Sequence, residues 1–166
     1  MDIILLLFFC GLCRFALTTT VNSCSGSKGL QPNATISIGY LENECLSTPC
    51  EVILGCSIIM TTKFNSPRYL EDLTPRIHAS ALGAELDYPL FQNNACDGII
   101  NTQCPIVKGE KVTYQYTMNL FNVFPEVAVN LEISIIDNDA EEDVTCFVVD
   151  INVKKSTCPA KPATAQ

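Results

Sequence analysis

At 166 residues the chain has room for one ordinary domain and too little for two. Its formal charge of -8, with no basic stripe to replace phosphate counterions, argues against a nucleic-acid binder and against tight static docking on anionic membranes. Ten cysteines and no tryptophan narrow the choice further, because so short a cysteine-rich chain reads as a disulfide scaffold.

Taken from the start, Ile3 to Cys13 is an unbroken apolar run of 11 residues, followed by Arg14 and the small-residue stretch Ala16 to Thr20. That is the length of a secretory h-region and well short of the ~20 residues that span a bilayer. The expectation is a leader over residues 1–20, cut somewhere in residues 16–23, then a domain over residues 21–155 and a flexible tail over residues 156–166. Losing the leader removes Cys10 and Cys13 and leaves an even set: Cys24, Cys45, Cys50, Cys56, Cys96, Cys104, Cys146 and Cys158. No pair has C-x-x-C spacing, and with His78 as the sole histidine a mixed zinc site has no ligands, so no metal and no cofactor are expected. Asn33-Ala-Thr is a glycosylation sequon, in keeping with an exported glycoprotein.

The region after the leader reads as strands broken by turns. Four stretches alternate apolar and polar with period 2: Cys56–Phe64, Val112–Leu120, Val127–Ile135 and Val144–Val153. Weaker candidates are Ala34–Leu41 and Arg76–Leu86. Proline and glycine punctuate the gaps, and no stretch carries a helical stripe. Short strands with one apolar face each need a second sheet to cover that face, so the expected class is all-β, an antiparallel sandwich. Without a tryptophan to plug its centre, the sandwich must fill that space differently or leave part of it empty.

An ordered set of features carries a resemblance. Cys24 precedes a tight Cys45-Leu-Ser-Thr-Pro-Cys50 loop; Tyr88-Pro-Leu-Phe comes before Cys96 and Cys104-Pro-Ile. Tyr114-Gln-Tyr, Phe124-Pro125 and an apolar strand follow, and Cys146-Phe147 comes last. From about Cys24 to Val153 the chain resembles the Niemann-Pick type C2 family of the ML lipid-recognition superfamily, which also holds the group 2 mite allergens. The resemblance implies an immunoglobulin-like sandwich with an apolar cavity between its sheets. It also implies the pairs Cys24–Cys146, Cys45–Cys50 and Cys96–Cys104, where eight cysteines alone admit about a hundred pairings. Cys56 and Cys158 are extra to the family's six. A fourth bridge between them is expected, the alternative being a buried thiol and a reactive one. The Cys96–Cys104 loop, holding Asp97-Gly-Ile-Ile-Asn-Thr-Gln103, is longer than the family leads one to expect.

Carried over residue by residue, the family's cavity-lining aromatic falls on Tyr88, an apolar wall residue on Leu120, and the aromatic-proline pair on Phe124 and Pro125. Phe64, Met60, Tyr116, Val129 and Leu131 join them as interior candidates for ligand contact. Glu42, Asn43 and Glu44 stand where an apolar residue is expected. Methionines Met60 and Met118 suit an adaptable pocket, and the hydroxyl of Tyr88 or Tyr116 is placed to orient a polar head. The function implied is secreted or endolysosomal binding and transfer of a sterol or fatty-acid-like lipid by a monomer that touches membranes or other carriers transiently. The rival readings are an immune module presenting microbial lipid to a receptor and a carrier of hydrophobic chemical signals.

Catalysis finds little footing. A serine or cysteine triad needs a base, and His78 sits in Arg76-Ile-His-Ala-Ser without a nucleophile signature. The acidic run Asp137–Asp143 lacks the glycine and distant glutamate of an EF-hand and reads as a solvated hairpin tip.

Overall fold

The computed structural model describes residues 18–38, 44–156 and 158. The apolar run with Cys10 and Cys13, the Glu42–Asn43 pair and the tail beyond Cys158 lie outside the described residues. Among the described residues nine strands form: β1 (Asn33–Ile38), β2 (Glu44–Cys45), β3 (Cys50–Ile53), β4 (Ser57–Asn65), β5 (Leu73–Ala81), β6 (Ala84–Asp87), β7 (Lys111–Asn119), β8 (Ala128–Asp137) and β9 (Glu142–Lys154). They make two sheets, β2-β1-β4-β7 and β3-β9-β8-β5-β6, whose apolar faces share one core. Among the described residues no helix is long and apolar enough to cross a membrane.

The period-2 stripes become strands almost residue for residue, because burying one face of each is the only way to remove those side chains from water. On β7, Val112, Tyr114, Tyr116 and Met118 are buried while Gln115, Thr117 and Asn119 are exposed. Two expectations about the strands change. Arg76–Leu86 is a hairpin of β5 and β6, not one strand, because Leu82 and Gly83 both hold positive φ (53° and 78°) and reverse the chain in two residues. The sheets are also not wholly antiparallel, since β3 pairs with β9 in parallel. The chain crosses from one sheet to the other between β2 and β3, too quickly to turn back.

That crossing is where the covalent ties gather. Cys45–Cys50 closes the corner between β2 and β3. Cys56–Cys158 joins the start of β4 to the chain beyond β9, tying the same end of the two sheets. The N-terminal segment continues along the edge of β9, where Asn22 bridges Val148 and Leu30 bridges Thr145, and Cys24–Cys146 fixes it there. Thr19, which the sequence reading assigns to the leader, is buried in the domain. Its N–H donates to the Ala34 carbonyl at 2.8 Å, and its hydroxyl donates to the Cys45 carbonyl at 2.6 Å.

Cys96–Cys104 braces a short 3-10 turn, Ala95–Gly98, and the long loop after it. This loop lies along the outer edge of β7. The Asn101 side chain accepts from Thr113 N–H at 2.6 Å and donates to the Lys111 carbonyl at 2.7 Å, as a neighbouring strand would. Ile100 N–H donates to the Thr113 carbonyl at 2.9 Å.

The acidic run is a hairpin tip between β8 and β9, but it is less solvated than expected. Asp137 is buried against Arg68 at 2.6 Å, Glu142 also meets Arg68, and Asp143 accepts from the Ser27 hydroxyl at 2.7 Å.

A Cys56→Ala/Cys158→Ala double variant should lose about 2–5 kcal/mol of unfolding free energy, the usual cost of a native bridge in a small secreted domain. Guanidinium denaturation of the oxidised protein checks this. An unchanged midpoint would mean that the bridge carries no stability.

Candidate functional site

The core is not filled evenly. Strand β5 presents Leu73, Pro75, Ile77, Ala79 and Ala81 inward, so its side chains shrink along its length. Ile133, Ile135 and Phe147 of the neighbouring strands β8 and β9 and Phe64 of the facing sheet fill the Leu73 end, all buried. At the Ala81 end no large side chain compensates, and a cavity of about 270 Å³ remains between the sheets.

Its walls come from every layer around that end. Ala79 and Ala81 of β5, Leu82 of the turn, and Ala84 and Leu86 of β6 form one side. Val129 and Leu131 of β8 with Ile151 and Val153 of β9 continue the same sheet. Met118 and Leu120, at and just beyond the end of β7, face them, and Phe124, Pro125 and Val127 of the β7–β8 connection close the remaining side. Among the described residues, none that lines the cavity is charged, and Tyr88 supplies the only side-chain oxygen or nitrogen. That atom is engaged: the Tyr88 hydroxyl donates to the Asn119 carbonyl at 2.6 Å. The ring thus spans the sandwich as a strut, anchored at its other end by Tyr88 N–H donating to the Ile77 carbonyl at 2.8 Å.

The cavity reaches the surface beside the β5–β6 turn. Leu82 is 89 % exposed, although it is apolar and holds a left-handed conformation that costs a non-glycine residue about 1 kcal/mol or more. Val123 (85 % exposed), next to lining Phe124, and Phe91 (77 %), three residues beyond lining Tyr88, are further exposed apolar side chains. A chain of aromatic contacts, each with ring centroids 6.4 Å apart, runs from Tyr88 to Phe124, from Phe124 to Phe121 and from Phe121 to Phe91.

Of the residues singled out from sequence, Tyr88, Leu120, Phe124, Pro125, Val129 and Leu131 come together on this wall. Phe64, Met60 and Tyr116 do not. The register places Phe64 opposite Val112 and Met60 opposite Tyr116, one and more pairs away from Met118, where the cavity begins. Alternation fixed the face of these three and not their depth along the strand. Nor is the Tyr88 hydroxyl free to orient a head group, because a main-chain carbonyl holds it. Sequence reasoning missed the alanine and leucine wall of the β5–β6 hairpin together with Ile151 and Val153. The signal available was the decline from Leu73 to Ala81 along β5.

Charge is kept outside. His78 lies on the outer face of β5, with Nδ1 2.9 Å from an Asp87 carboxylate oxygen and Nε2 3.7 Å from Glu85. The hydrogen bond with Asp87 raises its pKa, partial desolvation lowers it, and the charges of Asp87, Glu85 and Glu132 raise it further, for a net upward shift. Burial pushes the phenols of Tyr88, Tyr114 and Tyr116 up, so all three stay neutral. Glu132 approaches Cys24 and Cys146, but both sulfurs are bonded to each other, which leaves no thiolate for a metal.

Two outcomes follow from this geometry. Tyr88→Phe should cost about 0.5–1.5 kcal/mol of stability through the lost bond to Asn119, and should leave uptake of a fluorescent apolar reporter unchanged. Lost uptake at near-native stability would instead assign the hydroxyl to the ligand. For His78 the raised pKa means that its pairing with Asp87 stabilises the β5–β6 hairpin fully below about pH 6.5 and is lost as pH rises through the higher folded pKa. Hydrogen exchange of the hairpin amides should therefore be better protected, after correction for intrinsic rates, at about pH 5.5 than at about pH 8. The difference should vanish in His78→Gln; its persistence there would place the pH response elsewhere.

Comparison with known proteins agrees with this architecture. Residues 18–153 match the family model of the ML domain. The chain is 24 % identical over 110 residues to the bovine NPC intracellular cholesterol transporter 2, which spans 66 % of this chain and 72 % of that protein. It is 30 % identical over 80 residues to mite group 2 allergen Der f 2 of Dermatophagoides farinae, a match that spans 48 % of this chain and about half (53 %) of the allergen. The crystal structure of a Niemann-Pick type C2 protein from the Japanese carpenter ant superposes with a TM-score of 0.66 at 18 % identity, covering 81 % of this chain and 99 % of that one. With four disulfides, a two-sheet sandwich and a family match over nearly its whole described length, the chain belongs to the ML-domain family.

Proposed function

We propose that this protein is an exported, non-catalytic carrier that holds a sterol or fatty-chain lipid in the cavity and releases it through the mouth beside Leu82. The observation that carries this reading is a cavity of about 270 Å³ whose lining holds no charge and no free hydrogen-bonding side chain. Such a space rejects water and rewards methylenes, at about 0.8 kcal/mol for each one buried. The bovine relative, named a cholesterol transporter, supports the same class of cargo. The position of His78 on the outer sheet face, away from the cavity wall, supports binding over turnover.

The exported state rests on the apolar run before the domain, the exposed Asn33 sequon at the start of β1, and cysteines joined in four bridges. Because Thr19 is hydrogen-bonded into the domain, the leader is cut before it, towards the early side of the 16–23 window. The protein works as a monomer in the secreted or endolysosomal lumen. Exposed Leu82, which also lines the cavity, is where a membrane or a second carrier meets it during transfer.

Organic extraction and mass spectrometry of the oxidised protein, purified from a eukaryotic secretion host, should recover a lipid at close to one per chain. Leu120→Glu should abolish recovery while leaving the far-ultraviolet circular dichroism intact, since it puts a charge into a wall without a partner for it. Lipid recovered equally from this variant, or none from the native protein after incubation with a mixed lipid panel, would refute the carrier reading.

A further inference from the structure

The cavity also restricts what kind of lipid it takes, on the premise that it is a carrier site. A dry protein cavity of about 150 Å³ holds one benzene, or about 25 Å³ for each carbon. At that scale the space here accommodates about ten carbons. Its wall is lined on one side by Ala79, Ala81 and Ala84, which are already minimal, so little room is gained there by changing rotamers.

The electrostatics select the head. An anionic head needs a cation or several N–H donors to replace its hydration, and burying it without them is strongly unfavourable. Among the described residues, none that lines the cavity supplies a cation. The charged residues adjacent to the lining positions face away from the cavity: Glu85 and Asp87 flank Leu86 on β6 and turn outward to His78. Glu126 lies between Pro125 and Val127, with its carboxylate accepting from Lys155 N–H at 2.6 Å. Lys154 follows lining Val153 but is exposed, and strand alternation sends it to the opposite face, where it shares a surface groove with Glu126. Drawn against this lining, a carboxylate gives up its water and finds no cation among the described residues, whereas a hydroxyl, ester or hydrocarbon end has far less hydration to lose.

We propose that the cavity selects a lipid with an uncharged head and buries an apolar portion of about ten carbons, with any further length left at the mouth. Sterols and fatty alcohols fall inside this class, and ionised fatty acids fall outside it.

The test uses the full-length, oxidised and delipidated protein with a bound fluorescent naphthylamine reporter, displaced by n-alcohols from hexanol to tetradecanol and by decanoate. Affinity should rise about fourfold for each added methylene and level off near decanol. Decanoate at about pH 7.5 should bind at least about tenfold more weakly than decanol. It should recover as pH falls towards the ordinary carboxyl pKa of about 4–5 while decanol stays flat. Decanoate matching decanol at neutral pH, or a continued fourfold gain per methylene through tetradecanol, would overturn the proposal and leave the carrier reading standing. Failure of every alcohol to displace the reporter would remove the carrier reading itself.

Discussion

Two sheets are held at a fixed separation across a space that their side chains do not fill, and most other features follow from keeping that space open. In an ordinary sandwich the facing residues set the spacing, and a gap is closed by collapse. Here a void of about 270 Å³ corresponds to about 6 kcal/mol of forgone packing at ~24 cal/mol per Å³, an upper figure for a pocket open at one end. The two long-range bridges span 122 and 102 residues, and each nominally contributes ~4–5 kcal/mol in the chain-entropy model. The covalent ties and the hollow are therefore of one order. Cys56–Cys158 sits where it bears on the cavity wall: the Cys56 carbonyl accepts from lining Leu120, and Leu54 N–H donates to the carbonyl of Lys154, next to lining Val153.

The Tyr88 strut belongs to the same logic. A phenol that crosses from one sheet to a carbonyl at the end of the other sets a distance, and its ring remains available as wall. Phe124 then leans on it at 6.4 Å, so the aromatic part of the wall is held from behind by a hydrogen bond and not only by packing. Charge is treated in the opposite way. His78 and its carboxylates share the outer face of the hairpin whose inner face lines the cavity, so one short strand, β6, separates an ionic cluster from an apolar chamber.

How much of this was legible in the sequence depended on whether the information was local. Period 2 is local, so β4, β7, β8 and β9 could be read to within a residue or two, and with them the class of fold. Depth along a strand is set by cross-strand register, which is why alternation puts Phe64 and Met60 on the inward face without giving their distance from the cavity. The Leu82–Gly83 reversal was hidden because leucine is not a turn residue, and it hid with it the hairpin that makes a whole cavity wall. Small residues are also hard to read as function: Ala79 and Ala81 matter for the volume they leave empty, and an alanine in a strand announces nothing by itself. The aromatic-proline pair and Leu120 were found through family resemblance, whereas the parallel pairing of β3 with β9 had no signal in either source.

The long loop between Cys96 and Cys104 has a consequence for life in a crowded fluid. Strand β7 is nine residues long and ends its sheet, while the other terminal strands, β2, β3 and β6, run to four residues or fewer. A terminal strand of that length is a template on which another chain can add itself, and a row of open main-chain groups is enough to start it. Asn101 and Ile100 occupy the first part of that row, and Tyr88 takes the carbonyl at its far end. The loop thus does for β7 what a neighbouring strand would: among the described strands, the longest terminal edge keeps fewer open main-chain groups for a second chain to pair with.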